Sequence, residues 1–294
     1  MPFTVITDTA ANLDTQLTRE RNISVIPFYY FVDGQAFTCT DTALFDCKGY
    51  YDKIRAGMTV TTSQVNPQSF ADYFEPYLKD GSDIIFICMS SGISGTFSSA
   101  GIARQQLLES YPERRIRLID SLGAGLGVGS LALHAADYRD AGLDVDDAAD
   151  RLEGHVKRLY QVFIVDDLMH LRRTGRLSNF SAVVGTVLGI KPLLKGNESG
   201  KIVAFEKIRG RAKAIEAMAD KYADYMRDLD NQRILISHTD CEEDAKHLIG
   251  LLHKRGLPAS KEVIVMPHEP VTGSHLGPGA LALFFEGDED VRLH

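Results

Sequence analysis

Between positions 90 and 96 the chain reads SSGISGT, in which Ser90, Ser91, Ser94 and Thr96 are interleaved with Gly92 and Gly95. The apolar run IIFIC precedes this segment and a helix-forming stretch follows it. That order makes a strand which delivers hydroxyls to the carboxyl edge of a sheet, where open α/β folds bind their ligands. The glycines allow close backbone approach. Ser94 and Thr96 then stand at a helix N-terminus, whose free N–H groups and dipole favour a carboxylate or phosphate. Ordinary N-capping by Ser94 is the simpler alternative, but one cap does not call for so many small hydroxylated residues.

Three further clusters carry candidate chemistry. Residues 59–64, TVTTSQ, precede the helix that Pro67 starts, so Thr62 and Ser63 also face a helix N-terminus; the plain alternative is a polar loop with an N-cap at Asn66. In DDLMHLRRTGRLS, Asp166 and Asp167 follow a strand, and Arg172, Arg173 and Arg176 follow a short helical turn. Arg176 either serves a partner or ligand entrance or pairs with a nearby carboxylate. In GSHLGPG, residues 273–279, three glycines and Pro278 predict a rigid, tight loop that presents His275.

Other matches read as structural. Asp8 follows a strand but lacks the second aspartate that aspartyl phosphotransferases place two residues on, and turn-capping accounts for it. The histidines show no HExxH or comparable spacing, so no metal is expected. IRGRAKAIE, starting at Ile208, lacks the Lys-Ser/Thr of a phosphate loop, leaving Arg209 and Arg211 as a solvated helix start. An enzyme alternative exists in a serine hydrolase using Ser94, Asp120 and His275, which follow the chain order of α/β-hydrolases. Against it, Gly92, Ser94 and Thr96 do not complete GxSxG.

The elements that must position these residues alternate. Segments 3–7, 23–32, 83–89 and 115–119 read as strands joined by helices, an α/β layer with a parallel sheet. The charged segment 151–160 reads as an exposed helix, and 161–165 opens a second αβ series. Two domains are therefore expected, 1–150 and 151–294, with the last residues free to pack back on the first. Beyond the boundary, strands at 190–194, 201–207, 233–237, 262–266 and 280–285 and helices at 212–227 and 242–254 follow, and a short turn at 196–200 predicts a partly antiparallel sheet.

With 294 residues and 44% hydrophobic content, the chain can bury a sizeable core. A net charge of -8 with mixed signs offers no basic stripe for a phosphate backbone, which excludes nucleic acid as an expected partner. The opening MPFTVITDTAANLD lacks a basic n-region and a long apolar run, so export is not expected. The weakly polar stretches 122–136 and 181–190 fall short of the roughly 20 residues a bilayer requires. Cys39, Cys47, Cys88 and Cys241 have no CxxC spacing and read as reduced thiols of a cytoplasmic protein.

Taken jointly and in order, TDTAAN, TTSQ, SSGISGT, TGRLS and GSHLGPG run across nearly the whole chain, which resembles the DegV family. The resemblance implies one two-domain unit without catalytic residues or cofactor, an acyl carrier rather than an enzyme. In such a carrier a long-chain fatty acid, such as palmitate, stearate or oleate, lies in a buried tunnel between the domains. Its carboxylate meets the hydroxyls of the TSQ and SGT motifs, here Thr62 and Ser94, with Ser63, Gly95, Thr96 and His275 nearby. The resemblance further implies presentation of the acid to a fatty-acid kinase for phospholipid synthesis, with Arg176 and His275 facing that partner and transient contact with a membrane surface. Thr174 replaces the first glycine of the usual GGR, and Val65 the proline after TSQ; both bear on the partner loop more than on acyl binding.

Overall fold

The computed structural model describes residues 3–178 and 189–294. The chain forms two compact units, one of residues 1–45 and 60–156, the other of 46–59 and 157–294. Most of the stretch 181–190 lies outside the described residues. Among those described, no helix is long and apolar enough to cross a membrane.

In the first unit, β1 (Phe3–Asp8), β2 (Ile23–Ile26), β6 (Asp83–Cys88) and β7 (Ile116–Asp120) form a wholly parallel sheet in the order β2-β1-β6-β7. Every residue of β6 is buried, as a strand covered on both faces requires. Helices α1 (Thr15–Glu20), α3 (Pro67–Lys79), α4 (Thr96–Ser110), α5 (Leu126–Asp140) and α6 (Val145–Arg158) accompany it, the last running across the boundary at residue 156. Pro67 occupies the first turn of α3 and Asn66 Oδ1 accepts from Ser69 N at 2.9 Å, the cap anticipated there. Phe70 and Phe74 of α3 meet Phe86 of β6 at centroid distances of 5.1 and 5.5 Å.

Two expectations are corrected here. Segment 23–32 is not one strand: β2 ends at Ile26, and β3 (Tyr29–Val32) belongs to a separate antiparallel sheet with β4 (Gln35–Phe37) and β5 (Val60–Ser63), ordered β4-β3-β5. Pro27 stands at the break, where it has no N–H for the parallel ladder. Residues 60–63 are accordingly strand β5 rather than loop, with Thr62 opposite Tyr30.

In the second unit, β8 (Leu159–Ile164), β9 (Ile190–Gly196), β10 (Ile202–Arg209), β11 (Ile234–His238), β12 (Val263–Pro267) and β13 (Leu281–Glu286) form a mixed sheet ordered β10-β9-β8-β13-β11-β12. Only β11 and β12 run parallel among its neighbours, and the expected 196–200 turn joins antiparallel β9 and β10. Tyr160, Val162 and Ile164 point alternately from β8 into one core, which the stripe Ala214, Ile215, Met218, Ala219 and Tyr222 of α8 (Arg211–Tyr225) covers. Helix α9 (Glu242–Lys254) adds Ala245, Leu248, Leu251 and Leu252 to that core. Val291 joins it, and Lys195 Nζ donates to the Arg292 carbonyl at 2.8 Å, so the last turn packs within this unit.

Helix α2 (Cys47–Arg55) also belongs to the second unit. It packs on α10 (Pro270–Leu276), with Tyr50 Oη donating to Pro270 O at 2.9 Å and Tyr51 Oη to His268 O at 2.8 Å. GSHLGPG is therefore not one tight loop, because its first four residues complete α10. Glu269 supplies the cap, accepting from Val271 N and Thr272 N at 2.6 Å, and Pro270 stands in the first turn.

Candidate functional site

The SSGISGT turn is built by hydrogen bonds that leave Ser94 half-exposed at its tip. Ser90, fully buried, donates its N–H to Gly123 O at 2.8 Å, while its carbonyl accepts from Ile93 N and Ser94 N at 3.2 and 3.1 Å. Ser90 Oγ accepts from Gly92 N at 3.0 Å. Asp120, at the end of β7, accepts at Oδ1 from Ser91 N and Leu122 N, at 3.1 and 3.0 Å, and so joins the loops after β6 and β7. Asp8 holds the edge from the other side, accepting from Ala10 N at 2.9 Å and Met89 N at 3.2 Å, which is the turn-capping role its position suggested.

Helix α4 starts at Thr96, whose side chain is wholly buried. Ser94 Oγ accepts from Thr96 N at 3.2 Å and shares a hydrogen bond of 2.9 Å with Thr96 Oγ1. Ser94 thus makes a cap-like bond and also lies where the unsatisfied amides of a first helical turn face outward. A carboxylate placed there meets a hydroxyl and a positive dipole end, with no formal charge required.

Strand β5 comes to the same turn. A Cβ on Gly95 would stand 2.2 Å from Gln64 Oε1, so the Gln64 carboxamide occupies the space above that glycine. Gln64 directly follows β5, on which Val60 and Thr62 share one face while Thr61 and Ser63 take the other. The turn and the TSQ strand, 30 residues apart in sequence, are brought together within the first unit. Gln64 reads in the sequence only as the end of the TVTTSQ cluster; its contact with Gly95, a glycine whose φ of -78° does not require glycine, emerges from the structure alone.

The other two clusters meet within the second unit. Helix α7 (Leu168–Arg173), capped by Asp167 Oδ1 on Met169 N at 2.8 Å, packs against α10. His170 donates from Nε2 to Ser274 O at 2.6 Å, the neighbouring carbonyl fixing the tautomer. Gly277 is required here, since its φ is +76° and a Cβ would lie 2.9 Å from the His170 ring. Arg176 donates to the Thr174 carbonyl, and among the described residues no carboxylate pairs with it. Burial pushes the His275 imidazole down to about 4, with Arg176 and His170 adding to the effect, so it is neutral at pH 7. Asp166 is held below the usual carboxylate range by Lys191, whose Nζ donates to its Oδ1 at 2.6 Å.

Ser94 and Asp120 also formed the hydrolase alternative. A nucleophile requires a hydrogen-bonded base, and the bonds of Ser94 Oγ run to Thr96, while Asp120 Oδ1 is engaged by backbone amides.

Comparison with known proteins agrees with this architecture. The family described as "Uncharacterised protein, DegV family" matches residues 2–288. A DegV domain-containing protein of Clostridium perfringens is 35% identical over 286 residues, covering 97% of this chain and 98% of the relative. Among solved structures, DegV of Bacillus subtilis, described as a fatty acid binding protein, is 31% identical with a TM-score of 0.82, covering 98% of this chain and all (100%) of the other. A DegV family protein from Thermus thermophilus, studied for fatty acid binding, is 26% identical with a TM-score of 0.86 over 98% of this chain and 100% of that one. The chain belongs to the DegV family.

Proposed function

We propose that this protein binds one long-chain fatty acid and holds its carboxylate with the hydroxyls of Thr62 and Ser94, supported by Gly95 and Thr96 at the start of α4. The observation that supports the reading is the packing of Gln64, the residue directly after β5, on Gly95 of the Ser94 turn. The fatty acids bound by the relatives from B. subtilis and T. thermophilus support the ligand class.

The division of labour follows from transfer energies. Burying about fourteen methylenes at ~0.8 kcal/mol each is worth on the order of 11 kcal/mol before the costs of association. Hydroxyls and amides then need only satisfy the carboxylate. With no lysine or arginine among residues 90–96, that carboxylate keeps its nucleophilic character. It can attack the γ-phosphoryl group of ATP on a separate fatty-acid kinase, giving acyl-phosphate and ADP. The Arg176 and His275 cluster is the surface we assign to that partner.

The test is a Thr62→Ala, Ser94→Ala double variant. It should lose at least about a hundredfold in oleate affinity, since each hydrogen bond to a charged group contributes about 1.5–3 kcal/mol. Full affinity and full phosphorylation by the kinase would overturn the reading.

A further inference from the structure

Gly95 adopts φ -78° and ψ 1°, a conformation open to any L-residue, so backbone freedom does not explain the glycine. A Cβ would instead meet the end of the flexible Gln64 side chain, whose Oε1, Cδ and Nε2 lie 2.2, 3.1 and 3.2 Å from the point it would occupy, and would push that carboxamide aside. Gln64 is solvent-exposed, and its amide makes no hydrogen bond among the described residues. A flexible, exposed amide gains nothing from being held over a glycine unless something else is to be met there.

Three facts define what it could meet. Gln64 is the first residue after β5, two positions beyond Thr62. Its amide lies over the residue between Ser94 and Thr96, whose hydroxyls are bonded to each other at 2.9 Å. A carboxamide offers two N–H donors and one acceptor, and because its terminal torsion is broad and two-fold, a half-turn about it exchanges the oxygen now nearest the turn for the N–H group.

We propose that Gln64 is a specificity-determining residue of the acyl headgroup site, its Nε2 donating to a carboxylate oxygen of the bound fatty acid. This rests on the fatty-acid reading above. The role suits glutamine better than lysine: a neutral donor recognises the carboxylate but carries no charge to quench its nucleophilicity and no proton to lose. The glycine at 95 then has its reason, since any side chain would drive the amide off the turn.

The test compares oleate with oleyl alcohol, which shares the tail but has no carboxylate, on the full-length delipidated protein. Gln64→Ala should reduce the preference for oleate over oleyl alcohol about tenfold, and Gln64→Glu, which sets a second carboxylate beside the ligand's, should reduce it further. Gly95→Ala should do the same from outside by displacing the amide, and combining it with Gln64→Ala should add little. Unchanged preference in the Gln64 variants, while Thr62→Ala and Ser94→Ala lose it, would overturn the role of Gln64 and leave the fatty-acid reading standing. A wild-type protein with no preference for oleate would overturn that reading, and this inference with it.

Discussion

The two units each gather a pair of sequence motifs, and they do so with opposite chemistry. In the first, Ser90, Ser94, Thr96 and Gln64 set neutral polar groups about the turn at the start of α4, with Thr62 two residues before Gln64 on β5. In the second, Arg172, Arg173, Arg176, His170 and His275 cluster about α7 and α10, with ion pairs such as Lys191 to Asp166 beside them. Hydroxyls and amides satisfy a buried anion without neutralising it, whereas exposed guanidinium groups act on charged partners over longer range. On the function proposed above, the contrast separates two tasks: holding the acid is assigned to the first cluster and meeting a partner to the second.

If that separation is right, the largest effect falls on the first cluster. The Thr62→Ala, Ser94→Ala double variant should lose oleate affinity by at least about a hundredfold, measured by calorimetry. Arg176→Ala should leave oleate affinity within about twofold while slowing phosphorylation by a fatty-acid kinase about tenfold or more; equal losses in both assays would merge the two roles.

The second cluster also carries a pH signature that the first lacks. Burial raises the Glu269 carboxyl from 4.5 to about 7, outweighing its cap bonds to Thr272 and Val271. A raised folded value means the stabilisation is complete below about pH 4.5 and is lost as pH climbs through 7, by about 3 kcal/mol at most. Glu269→Gln should therefore gain stability relative to wild type between pH 5 and pH 7.5 in thermal melts. His268 has the opposite sign: burial lowers it from 6.5 to about 3, so its contribution is present above 6.5 and lost as pH falls. His268→Gln should flatten the acid side of the same curve. The smallest effect is expected at Asn66→Ala, which removes the cap of α3 and should cost about 1 kcal/mol in denaturant unfolding without altering the preference for oleate.

Much of the fold was legible because its strands are buried on both faces. β6 and β13 read as unbroken apolar runs, and helix 242–254 was visible from its acidic start and apolar spacing, matching Glu242–Lys254. The break at Pro27 is a local signal that apolar content masked. The helical half of GSHLGPG was hidden because its cap, Glu269, precedes the motif. Other features depend on distant chain. Nothing near Tyr51 announces that it will bond His268, 217 residues away, and carry 46–59 into the second unit. Likewise, the hydroxyls of TTSQ were visible as types, but that they stand on a strand is decided by the pairing of β5 with β3, and that Gln64 reaches Gly95 depends on chain about 30 residues away.

The central claim is that a fatty acid occupies this chain, and native mass spectrometry of freshly purified protein, followed by extraction and identification of the released molecule, tests it most directly. One long-chain fatty acid per chain is the predicted result. A protein that is empty, and stays empty after incubation with palmitate and oleate, would contradict it.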